Sequence, residues 1–199
     1  MQVERGSSRH RSWGHVSSRI RMWLLASSRR PSWLPEFDRP REVLAPERNR
    51  DSMPMIDVYA AAGTFGDVHA LARNLATELM TIEEVPDIPM FRKNTAAFVH
   101  ELPSSGLSNV DGDSDYVRVQ VLTNAGALDR DKQLAVVSRL TTLLADAAGD
   151  SSLADRTWVL LTEAPDGGWG LAGHANTNEE LVAAARAQIA ELQAQKRED

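Results

Sequence analysis

From residue 53 onward the chain alternates between two hydrophobic periods. Residues 55–60 form a short β-rich apolar run and predict a first strand. Gly63-Thr64 breaks it, and Asp67 stands where a helix N-cap belongs. Val68, Leu71, Leu75 and Leu79 then recur at helical spacing, with Arg73, Asn74 and Glu78 between them. That spacing predicts an amphipathic helix running to about residue 84, ended by Pro86 and Pro89. Residues 95–102 read as a second strand closed by Pro103, and 104–115 as a small, acidic linker.

The same order then returns. Val117, Val119 and Val121 alternate with Arg118 and Gln120, which predicts a strand over 116–123. Gly126 interrupts it and Asp129 caps a helix whose apolar stripe is Leu134, Val137, Leu140 and Leu144, with Gly149 at its C-terminal end. A fourth strand follows over 157–164, closed by Pro165. Gly63 and Gly126 are 63 residues apart, as are Leu71 and Leu134, and Val58 and Val121. His100-Glu101-Leu102-Pro103 matches Thr162-Glu163-Ala164-Pro165 at a shift of 62. The pattern is a tandem β-α-β duplication, with units of about 53–103 and 116–175. Thr177-Asn178-Glu179-Glu180 fits a capping box, and Leu181, Ala185, Ile189 and Leu192 share one side of a closing helix over about 177–195.

The expected fold is therefore of the α/β class, an α+β sandwich. It has one four-stranded sheet, both long helices on one face, and a C-terminal helix. Each crossover helix should join parallel strands. The strands are apolar on their other face too, and association with further copies is the natural cover.

Charge divides the chain. Residues 1–52 hold 11 Arg, no Lys and 6 acids, a balance of +5, which leaves −11 for residues 53–199. An acidic body repels a phosphate backbone, so nucleic acid is not the expected partner. No apolar run approaches the roughly 18 residues of a membrane helix. The absence of cysteine removes disulfides and thiolate chemistry and suits a reducing, cytoplasmic setting. The 1–52 stretch carries four prolines, three of the five tryptophans and repeated Ser-Ser-Arg. Its longest apolar run, Met22-Trp23-Leu24-Leu25-Ala26, is too short for a secretory signal. The first expectation is upstream sequence read in frame from a mis-set start. A disordered tail and a basic address arm are the alternatives.

The candidate chemistry begins at Met53-Pro54. A proline at a strand start has a plain structural explanation, because its missing N–H costs nothing there. It has a chemical one only if translation starts at Met53 and the methionine is removed. Pro54 would then carry a free secondary amine, a base of middling strength. Inside a longer chain the same nitrogen is a tertiary amide with no basic lone pair.

The Met53-Pro54 start, the tandem β-α-β units, Thr157-Trp158-Val159-Leu160-Leu161-Thr162-Glu163 and Gly168-Trp169-Gly170-Leu171-Ala172-Gly173 together resemble the tautomerase superfamily typified by 4-oxalocrotonate tautomerase. The resemblance covers residues 53 to about 178. It implies a trimer and a cofactor-independent keto–enol tautomerase acting on a small carboxylate-bearing substrate. Pro54 would be the general acid/base and Trp169 an aromatic wall beside it. It also implies arginines that hold the substrate's carboxylate. The family's loop position falls here at Thr64 and Ala127, and its strand position at Ala96 and about Thr157, so the pattern departs from the family. Arg92 and Arg118 are the remaining candidates. Arg118 lies one residue past the repeat equivalent of Pro54, so strand pairing is expected to bring it close.

Two other readings stand beside this one. A superfamily dehalogenase or decarboxylase-type hydratase would need an acid to activate water, and no clear acid presents itself. A non-catalytic oligomeric scaffold would keep Pro54 in mid-chain. Gly168 to Gly173 formally matches G-x-G-x-x-G, but too little chain follows for a dinucleotide fold, and a glycine-rich hairpin is expected. Asp111-Gly112-Asp113-Ser114-Asp115 lacks the distal Glu of a calcium loop, and the five histidines show no i, i+4 pair, so no metal site is expected. His100 is expected to be structural.

Overall fold

The computed structural model describes residues 53–198. The expectations for residues 1–52 lie outside the described residues. β1 (Met55–Ala61), α1 (Val68–Glu83), a short α2 (Pro89–Asn94) and β2 (Ala96–Leu102) make the first unit. The second is β3 (Val117–Asn124), α3 (Arg130–Ala148), a 3-10 turn (Ser151–Arg156) and β4 (Thr157–Ala164). A hairpin of β5 (Trp169–Leu171) and β6 (His174–Asn176) leads into α4 (Asn178–Glu198). The strand order is β2-β1-β3-β4, parallel within each unit and antiparallel where β1 meets β3. The tandem-unit architecture expected from the sequence is the one observed.

Local chemistry sets the helix ends. The Asp67 carboxylate accepts from the Ala70 N–H at 2.9 Å, and that of Asp129 from the Lys132 N–H at 3.0 Å. Gly149 closes α3 in the left-handed region at φ 65°, where a side chain would be strained. Glu84 does the same for α1 at φ 60° without being a glycine.

Ile56, Val58 and Ala60 of β1 and Val117, Val119 and Val121 of β3 bury one sheet face against Leu71, Leu75 and Leu79 of α1 and Val136, Leu140 and Leu144 of α3. The expected α3 stripe needs correction. Leu134 is 52% exposed and Val137 39%, while Val136 is fully buried. Leu134 precedes Leu140 by six residues, which places it about 120° round the helix rather than on the same side. The equivalence of Leu71 with Leu134 therefore fails at the level of packing. The second correction is α2. Pro89 does not only end a helix; it starts one, at a position where the missing N–H has no intrahelical use.

A second core lies at the end of the sheet where β1 begins. Met53, Ile88, Phe91, Ala164, Trp169, Leu181 and Ala185 form it, with Met55 and Leu122 packed against it. Met55 and Leu122 are cross-strand partners on the face opposite the first core. So α2 and α4 cover this end of the second face. Its edge strands remain bare, with Phe98 50% exposed on β2 and Trp158 and Leu160 each 44% on β4. Among the described residues no helix is long and apolar enough to cross a membrane.

Candidate active site

Pro54 is buried at the head of β1, and its carbonyl accepts from the Ala96 N–H at 3.3 Å. The residue before it is more informative. Met53 has no exposed surface, and its side chain fills the space between Phe91, Ile88, Trp169 and Leu181. Its backbone N–H donates to Asn124 Oδ1 at 3.3 Å. Asn124 in turn meets Asn178 Oδ1 through Nδ2 at 3.4 Å, and Asn178 Nδ2 donates to the Ala125 carbonyl at 3.2 Å. The Pro54 nitrogen thus lies between an apolar enclosure and a buried asparagine. With Met53 attached, that nitrogen is an amide and has no acid–base chemistry.

Trp169 arrives by way of a tight turn. The Gly168 N–H donates to the Pro165 carbonyl at 2.8 Å, and a Cβ on Gly168 would stand 2.8 Å from that same oxygen. Gly168 is therefore bound to be glycine if the turn is to close. Ala172 and Gly173, at φ 53° and 80°, form the two-residue turn of the β5–β6 hairpin. Asn176 Nδ2 holds the Trp169 carbonyl at 3.2 Å, and the indole is 6% exposed.

The structure puts Trp169 in the enclosure of Met53, the residue before Pro54, and neither arginine belongs to that cluster. Arg118 pairs with Tyr59, whereas Met55 pairs with Leu122. The expected strand pairing therefore runs the other way and leaves Arg118 about 13 Å along the sheet from the start of β1. Its guanidinium lies 5.3 Å from the Tyr59 ring centroid and donates to Gln120 Oε1 at 2.9 Å. Arg92 sits on α2 one residue past the buried Phe91, so it turns into a groove on the far side of β2, where it pairs with Asp87 at 3.2 Å.

His100 packs as expected of a structural residue. It stacks on Tyr59 at 4.5 Å and its Nε2 is 2.6 Å from Asp57 Oδ1. Glu101 accepts from the Gly63 N–H at 2.9 Å and fixes the turn after β1. The acidic linker is organised by Asn109, whose Oδ1 accepts from the Asp111 and Asp113 N–H groups. Sequence reasoning missed Asn124, Asn178 and Phe91. Asn124 carried a signal, since with Thr123 it breaks the apolar alternation of β3 while remaining buried.

No protein-family model and no curated protein matches the chain. Solved structures do match. The Q0 fused 4-OT wild-type symmetric trimer is 16% identical over 63% of this chain and 97% of its own, with a TM-score of 0.54. The F6 and R7 fused 4-OT wild-type asymmetric trimers are 17% and 19% identical, each covering 64% of this chain and 98% of their own, with TM-scores of 0.52 and 0.51. The resemblance read from the sequence holds at the level of the fold, which is that of fused 4-OT.

Proposed function

We propose that the protein is a cofactor-independent keto–enol tautomerase for a small carboxylate-bearing substrate, with Pro54 as the general acid/base once the chain through Met53 has been removed. The observation that carries this reading is the Met53 enclosure. Removal of that residue would leave a secondary amine facing an apolar space of about one side chain, walled by Trp169 and Phe91. Burial disfavours the ammonium form and moves such an amine toward neutral pH. A base so tuned takes a proton from carbon beside a carbonyl and returns it elsewhere. In this reading Arg92, on α2 in the groove that also holds Thr95, takes the carboxylate. Arg118 takes part only where a neighbouring copy brings it.

The bare apolar side chains on the edge strands of the sheet support a homotrimer, as does the likeness to fused 4-OT trimers. The competing reading, a ligand-binding scaffold without catalysis, is favoured by one observation: Met53 fits its enclosure with no exposed surface. The test is turnover of an enol carboxylate by a chain beginning at Met53, compared with its Pro54→Ala variant. The tautomerase reading expects a loss of at least about a hundredfold in kcat. Equal turnover by the variant removes Pro54 from the mechanism.

A further inference from the structure

A groove of about 640 Å³ runs between α1, α2 and the outer edge of β2. That volume is in the range of small-molecule sites, about 300–1,000 Å³. Its walls are of two kinds. Ala76, Met80, Val85 and Ala97 supply an apolar lining, and Arg73, Arg92 and His69 supply cationic or donor groups. Asp87 is its one acid, a local reversal in a body that carries −11. The Arg73 guanidinium has no hydrogen-bond or ion-pair partner among the described residues. Arg92 has only Asp87, and both of those side chains are well exposed, at 65% and 75%. An exposed pair of this kind is weakly held and exchanges readily for a better-placed anion.

The second, independent observation is Thr95. It lines the same groove, is 7% exposed, and its hydroxyl has no hydrogen-bond partner among the described residues. A buried hydroxyl left unpaired costs free energy that a ligand oxygen would recover. Thr95 also stands beside Pro54 on the neighbouring strand, since Ala96 donates to the Pro54 carbonyl. Met80 and Val85, which wall the groove, pack from their other side on the cluster that holds Met53.

We propose that this groove binds a small amphipathic carboxylate, gripped between Arg73 and Arg92 with the Thr95 hydroxyl as a further donor and its apolar tail along Met80 and Val85. Guanidinium groups suit the carboxylate because each presents two parallel donors. The inference rests on the tautomerase reading for what the ligand is for, since it gives that substrate's carboxylate a seat, but binding itself does not require Pro54 to be active.

The experiment is a titration of the full chain with hexanoate, followed by backbone amide NMR. Saturable one-to-one shifts at Thr95, Ala96 and Ala97 are expected, with hexylamine giving none. Arg73→Ala should weaken binding at least about fivefold, and the double variant with Arg92→Ala by tenfold or more. Val110→Ala, in the exposed linker, should bind hexanoate as the parent does. No saturable shift, shifts confined to other elements, or equal affinity in the double variant overturns the site. Turnover of an enol without groove binding would sink the groove and spare the Pro54 mechanism; groove binding without turnover would do the opposite.

Discussion

Met53 is the residue on which two accounts of the molecule divide. As a buried side chain it contributes about 1.5–3 kcal/mol by leaving water. Met53→Ala in the full chain should therefore cost about 2–4 kcal/mol in a denaturation experiment, because the walls of Phe91 and Trp169 relax only in part. A chain beginning at Pro54 should show a similar deficit and regain it when a carboxylate ligand saturates the site, by mass action. No ligand-dependent gain in that shortened chain would mean the enclosure is core rather than pocket. The candidate site was half legible at this scale. Pro54 and Trp169 are marked in the sequence, one by its place at the head of a strand and the other by its glycine-rich turn. Thr95 meets Arg73 and Arg92 in one groove, and Asn124 meets Met53, through strand register and the placement of α2, neither of which a one-dimensional pattern contains.

At the scale of elements, the ends of α1 and α4 carry specific consequences. Glu84 holds a left-handed conformation that costs a side-chain-bearing residue free energy, and its ion pair with Lys132 at 3.3 Å is 70% exposed on the Glu side. Glu84→Gly should raise stability by about 0.5–1 kcal/mol, read as an increase in Tm. Glu180 caps α4. The Thr177 N–H and then His174 hold its carboxyl below the ordinary value of 4.5. A depressed carboxylate stabilises the fold above the unfolded value and loses that contribution as pH falls through the folded one. Acidification below about 4.5 should therefore loosen α4 from the Met53 enclosure, seen as a change in Trp169 fluorescence, and Glu180→Gln should flatten that acid limb. The four strands and three long helices were legible because their periods are strong. The helix α2 was not, since six residues opening on a proline show no period. The α3 stripe was misread because its first two apolar positions, Leu134 and Val137, face water.

For the whole molecule, the proposed trimer would use the exposed set of Phe98, Trp158 and Leu160. Trp158 stacks on Tyr116 at 4.8 Å, and the set is divided between the two edge strands of the sheet. Trimer formation should bury it, so Leu160→Lys should shift the protein to monomers in sedimentation while leaving the first core intact. The central claim concerns the state of one nitrogen at the head of β1. Intact mass of the protein isolated from its native source reads that state directly. The account predicts a chain whose first residue is Pro54, active toward an enol carboxylate; a native chain that retains residues through Met53 and still turns over the enol would contradict it.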